Sequence, residues 1–100
     1  SKNYRKIAIP KVAKAIRFEF HKWRNNSVHL DIESELYSDL VELIDKSCAD
    51  DEDITLHKDW PHGYRFSMKS ENNSPEKDVE LMIAFIQKML PLITTYESSQ

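Results

Sequence analysis

The residues of this chain best suited to chemistry are His21, His57 and Lys69. Two imidazoles can serve as general acid and general base while a lysine stabilises developing negative charge, which is the requirement of metal-free RNA cleavage. That use needs both rings at one phosphodiester. His21 and His57 hold matching positions in two similar stretches, and strands of period two turn polar residues outward whatever their role, so no catalytic residue is assigned. A small metal-independent RNase stays as an alternative. The same histidines with Asp31 or Asp59 lack the close ligand spacing of a motif such as His-Glu-x-x-His, and no metal or cofactor is expected. Asp50-Asp51-Glu52-Asp53 lacks the Asp-x-Asp-x-Asp-Gly order of a calcium loop and reads as a solvated run. Gly63 is the only glycine, too few for a phosphate-cradling loop. Cys48, the single cysteine, can form neither an internal disulfide nor a cysteine-based zinc site; it reads as a small buried hydrophobe in a reducing compartment.

The elements that position these residues must fit into 100 residues, enough for one domain. At 40% hydrophobic and 31% charged, the chain is too apolar for disorder and too polar for a membrane protein. No apolar run looks long enough to span a bilayer and no secretory signal opens the chain, so it reads as cytoplasmic, with no membrane and no small-molecule substrate expected.

Searching for repeats gives the architecture. Phe18 to Trp23 and Val28 to Glu33 alternate apolar and polar around a turn at Arg24 to Ser27, and Ile54 to Trp60 and Tyr64 to Lys69 do the same around Pro61-His62-Gly63. A helix follows each hairpin. The first runs from about 35 to 48 on a stripe of Leu36, Leu40, Leu43, Ile44 and Ser47, with Tyr37, Val41 and Cys48 beside it. The second opens at Ser74-Pro75, where serine can cap and proline suits the first turn, with Glu76 and Asp78 at the positive end of the helix dipole. Its core stripe is Val79, Met82, Ile83, Ile86, Met89, Leu90 and Ile93, and Pro91 is expected to kink or end the first segment.

The predicted fold is thus α+β: a four-stranded antiparallel sheet from two ββα repeats, with two helices packed on one face. Residues 1–15 form a basic N-terminal segment, and Ile7, Ile9 and Val12 with the adjoining Ile16 could make an extra strand or short helix around Pro10. Residues 16–100 form one ββαββα domain, repeat 1 spanning about 16–48 and repeat 2 about 54–97. Counting the four hairpin strands in chain order, 2-1-3-4 and 1-2-4-3 are both legal, and 2-1-3-4, which brings His21 and His57 towards each other, is preferred.

Two surfaces are candidates for partners. Leu81, Phe85, Leu92 and Tyr96 widen the second helix's apolar face, and Trp23 faces away from the helices; Trp23, Phe85, Leu92 and Tyr96 are the residues expected to bind a protein partner or to form a homodimer. The other surface is cationic. The net charge of −3 hides eight basic residues against Glu19 alone within residues 1–24. Lys2, Arg5, Lys6, Lys11, Lys14, Arg17, Lys22 and Arg24, with Arg65 and Lys69, would carry nucleic-acid binding in the alternative reading. The plainer use of the arm is to lie against the domain's own acidic surface or another chain.

Arg17-Phe18-Glu19-Phe20 leading to Val28-His29-Leu30-Asp31-Ile32-Glu33, a helix, then Trp60 and Tyr64-Arg65-Phe66, and finally Glu80-Leu81-Met82-Ile83-Ala84-Phe85-Ile86, resemble the uncharacterised ββαββα domain appended to some bacterial PD-(D/E)XK-type nucleases and defence-associated proteins, over about residues 16 to 97. The nuclease site itself needs an Asp and a Glu-x-Lys-like trio on a different fold, and Glu19-Phe20-His21, the nearest approach, lacks the lysine. The resemblance implies an accessory part without the engine: a non-catalytic interaction or recognition domain near nucleic acid.

Overall fold

The computed structural model of the protein describes residues 4–7, 14–23, 25–33, 35–58, 63–69 and 74–99, and of these all side chains except those of 4–7, 22, 23 and 25. The elements are β1 (Tyr4–Ile7), β2 (Ile16–Trp23), β3 (Asn25–Ile32), a 3₁₀ turn (Glu35–Tyr37), α1 (Ser38–Ser47), β4 (Ile54–His57), β5 (Tyr64–Lys69) and α2 (Pro75–Ser98). They form an α+β fold with an antiparallel sheet in the order β1-β2-β3-β5-β4. β1 adds a fifth strand at the edge, supplied by the N-terminal segment; Pro10 and Val12 lie outside the described residues.

The hairpin strands stand in the order 1-2-4-3, not the preferred 2-1-3-4. Strand length and polarity give the reason. β4 has four residues, none of them buried, and takes the edge; β3 has eight, with Val28, Leu30 and Ile32 wholly buried, and takes the centre. The first hairpin is also longer than expected, since pairing continues to Trp23 opposite Asn25 and absorbs Asn26 and Ser27 into β3. Asn26 tolerates its buried position because its amide donates to Asp78 Oδ1 at 2.6 Å, so β3 is tied to the first turn of α2.

Both helices cover one face. Phe18, Val28, Leu30, Ile32 and Phe66 from the sheet close on Leu40, Val41 and Ile44 of α1 and on Phe85, Met89 and Ile93 of α2. Each such side chain fully buried contributes about 1.5–3 kcal/mol. Leu36 departs from the expected stripe and is 85% exposed. It lies in the 3₁₀ turn, whose three residues per turn rotate it out of line with the 3.6-residue period of α1.

α2 starts as the sequence indicates: Ser74 accepts from the Lys77 amide at 3.2 Å and Pro75 occupies the first turn. It does not end at Pro91 but runs on to Ser98. Gln87 and Pro91 both lie on the exposed side, where water can satisfy the carbonyl that proline leaves unbonded. The whole helix is, by length and composition alone, long and apolar enough to cross a membrane, which the expectation of no such apolar run did not allow for. In this fold Phe85, Met89 and Ile93 are spent on the core.

Gly63 leads into β5 with φ +141°, a conformation that L side chains rarely adopt. A Cβ there would run into the Ile32 carbonyl oxygen.

Candidate functional site

The sheet face turned away from the helices carries most of the chemistry, and the register fixes its layout. Across β2, β3 and β5, one row is His21, Ser27, Lys69; the next is Glu19, His29, Ser67, extended by Thr55 of β4; the third is Arg17, Asp31, Arg65, extended by His57. This face is not a solvated surface. Glu19, Ser27, Asp31 and Ser67 are all buried within a network of ionic and hydrogen-bonded side chains.

At its base, Arg65 grips Asp31 through two parallel bonds, Nε to Oδ1 at 2.7 Å and Nη2 to Oδ2 at 2.9 Å. Arg17 lies between two carboxylates, 3.3 Å from Glu19 Oε1 and 2.5 Å from Glu33 Oε1. Partial burial works against the Arg17 charge, but the pairing with Glu33 and Glu19 outweighs it and leaves its pKa raised. Glu19 also accepts from His21 Nε2 at 3.2 Å. The bases on the opposite side pair with hydroxyls: His57 Nε2 lies 2.8 Å from Ser67 Oγ, and His29 Nε2 lies 2.9 Å from Ser27 Oγ.

His29 occupies the centre, stacked on His21 with ring centroids 4.0 Å apart. Burial first, and then the positive fields of His21, Arg65, His57 and Lys69, push its pKa down to about 3, so the ring is neutral at physiological pH. Its Nδ1 is buried without a hydrogen-bond partner.

His21 and His57 are therefore not brought together. They sit on β2 and β4 with β3 and β5 between them, about 14 Å of sheet at the usual strand spacing, and in different rows. The neighbour of His21 is His29, a residue the search for paired bases passed over. The register that pairs Trp23 with Asn25 sets Ser27 opposite His21 and His29 one step diagonal to it.

The expected partner-binding residues fall differently from the reading. Phe85 is 0% exposed and meets Phe18 edge to face at 6.0 Å, so it is a core residue and unavailable to a partner. Leu92 and Tyr96 pack against the core, Tyr96 beside Tyr37. Val79 and Ile83, expected inside, stand 49% and 51% exposed. The side chain of Trp23 lies outside the described set.

Of the cationic set, Lys2, Lys11 and Arg24 lie outside the described residues, and for Arg5, Lys6 and Lys22 only the backbone, in β1 and β2, is described. Lys14 is exposed, Arg17 and Arg65 are engaged by carboxylates, and Lys69 is exposed at the end of β5. Among the described residues no group of three or more His, Cys, Asp or Glu is arranged to hold a metal ion. Asp50 to Asp53 line an open depression with Ser47 and Lys88, where Lys88 pairs with Asp51. Cys48 is buried, and that burial pushes its thiol pKa up, away from nucleophilic use.

Compared with protein-family models, curated proteins and solved structures, the chain has no match.

Proposed function

We propose that this chain is a non-catalytic interaction domain that works by packing the exposed apolar edge of α2 against a second copy of itself, in the nucleic-acid-processing setting that its sequence resemblance implies. The observation that carries this reading is the half-exposure of Val79 and Ile83. With Ile86 and Leu90, both only partly buried, they recur at intervals of four, three and four residues, the spacing of a helix–helix seam. The seam lies beside the face spent on Phe85, Met89 and Ile93; Ile86 borders that core, and Val79 and Ile83 are the residues core packing leaves exposed.

The helix dipole favours a second copy laid antiparallel, which sets the positive N-terminal end of one α2 against the negative C-terminal end of the other.

The test is sedimentation velocity across a concentration series on the wild-type chain and on Val79→Asp/Ile83→Asp. A dimer that the double variant reduces to monomer, with an unchanged circular dichroism spectrum, is the expected result. A wild-type chain that stays monomeric at high concentration overturns the reading.

A further inference from the structure

We propose that the outer edge of β4 is a self-complementary docking strand, which takes β4 of a second copy, antiparallel, about a two-fold axis at Thr55. β4 ends the sheet, and among the described residues no strand pairs with its outer side. Its backbone is aimed that way. The Ile54 amide donates to the Asp51 carbonyl at 3.2 Å instead of to β5, and residues of an antiparallel strand alternate between facing their partner strand and facing away. Ile54 and Leu56 therefore turn outward the Ile54 carbonyl and both the amide and the carbonyl of Leu56. Such a row is a template for another strand.

The residues around this edge match their own reversed order. Stepping out from Thr55, Ile54 and Leu56 come first; beyond them stand Glu52 and Asp53 on one side and Lys58 on the other. In an antiparallel pair centred on Thr55, with the helices of both copies on the same side of the joined sheet, Ile54 of each copy lies opposite Leu56 of the other. Each Leu56 amide then donates to the Ile54 carbonyl across the axis. The same pairing brings the acidic turn of each copy to the Lys58 end of the other, twice by symmetry. Glu52, Asp53, Thr55 and Lys58 are exposed and Ile54 and Leu56 are half-buried, so apolar surface is covered between two oppositely charged ends. Moving the axis by one residue destroys the match, setting Ile54 against Lys58 or Leu56 against Glu52.

This surface is separate from the α2 seam. A strand of four residues covers little area, so the contact is weak and forms at high protein concentration. A chain that pairs through α2 and also through β4 has two neighbours, and its association runs past the dimer.

The experiment is disulfide trapping with Thr55→Cys. At the axis the two positions 55 form a pair without mutual hydrogen bonds, with Cα atoms about 4.5 Å apart, within the range that a disulfide bridges. The variant is made in the full chain carrying Val79→Asp/Ile83→Asp, oxidised glutathione is added at high protein concentration, and the products are followed on non-reducing gels. Cys48 is buried and stays in place. A linked dimer forming about tenfold faster than from Asp39→Cys, an exposed site on α1, is expected. Adding Glu52→Lys/Asp53→Lys, or adding Lys58→Glu, should slow the reaction about tenfold in each case. Mixing those two variants should restore it, with the heterodimer as the main product. A Thr55→Cys chain that crosslinks no faster than Asp39→Cys, or a mixture that does not recover, overturns the proposal. Trapping in this background is blind to the α2 seam, so its failure and a failure of the helix-mediated dimer are read separately.

Discussion

Asp31 and Arg65 face each other across β3 and β5 and close a two-pronged ion pair in which the carboxylate is wholly removed from water. The pair joins β3 to β5, where the two hairpins meet, so it bears on the assembly of the sheet as well as on its surface. Asp31→Ala leaves a guanidinium without its counter-ion and should cost about 3 kcal/mol, measured by urea denaturation. Replacing both by apolar residues, Asp31→Leu with Arg65→Met, should recover most of that loss, because neither charge then needs solvation. Equal destabilisation in the single and double variants would contradict this account.

His29 makes stability depend on pH with a definite sign. Its folded pKa is about 3, below the ordinary histidine value of 6.5, so between these limits the unfolded chain binds a proton that the folded chain refuses. Stability is complete above the ordinary value and falls as the pH drops towards about 3. Chemical denaturation from pH 7.5 downward should show wild type losing stability more steeply than His29→Gln below roughly pH 6.5. Parallel curves would show that the buried ring is not responsible.

Gly63→Ala should be among the most damaging single-methyl changes in the chain. Its φ of +141° belongs almost only to glycine, and the added Cβ would collide with the Ile32 carbonyl. A loss of about 2–3 kcal/mol is expected from backbone strain before the collision is counted, read as a lower midpoint in thermal or urea unfolding.

Neighbouring positions of α2 should respond in opposite ways. Phe85→Ala empties a fully buried site against Phe18 and should cost about 3–5 kcal/mol. Ile83→Asp, on the exposed seam, should change the stability of the isolated chain by only about 0.5 kcal/mol. Comparable losses at the two positions would place the seam inside the core.

This contrast marks where the sequence is legible. The alternation Phe18, Phe20 and Val28, Leu30, Ile32 identified the hairpins and the face they bury, and Ser74-Pro75 located the start of α2. Gly63 marked a bend that needs a positive φ. Periodicity failed within α2 because apolar residues occupy most of its circumference; Val79 and Phe85 look equally internal until the sheet beneath selects one stripe. Strand order was also beyond local pattern, since it depends on which strand can bear the centre, and the placement of His21 and His57 followed from it. Outward alternation correctly set Asp31 and Glu19 on the polar face but said nothing of how deeply long neighbours would bury them.

The contacts of α2 reach back into the first half of the chain: Asp78 to Asn26, Phe85 to Phe18, Tyr96 to Tyr37. The two hairpin-and-helix halves thus lend each other their interiors. Severing the backbone in the acidic stretch between α1 and β4 should yield two pieces that remain unstructured when separate and regain the fold only on mixing, as a single cooperative unit and not as two small domains in tandem.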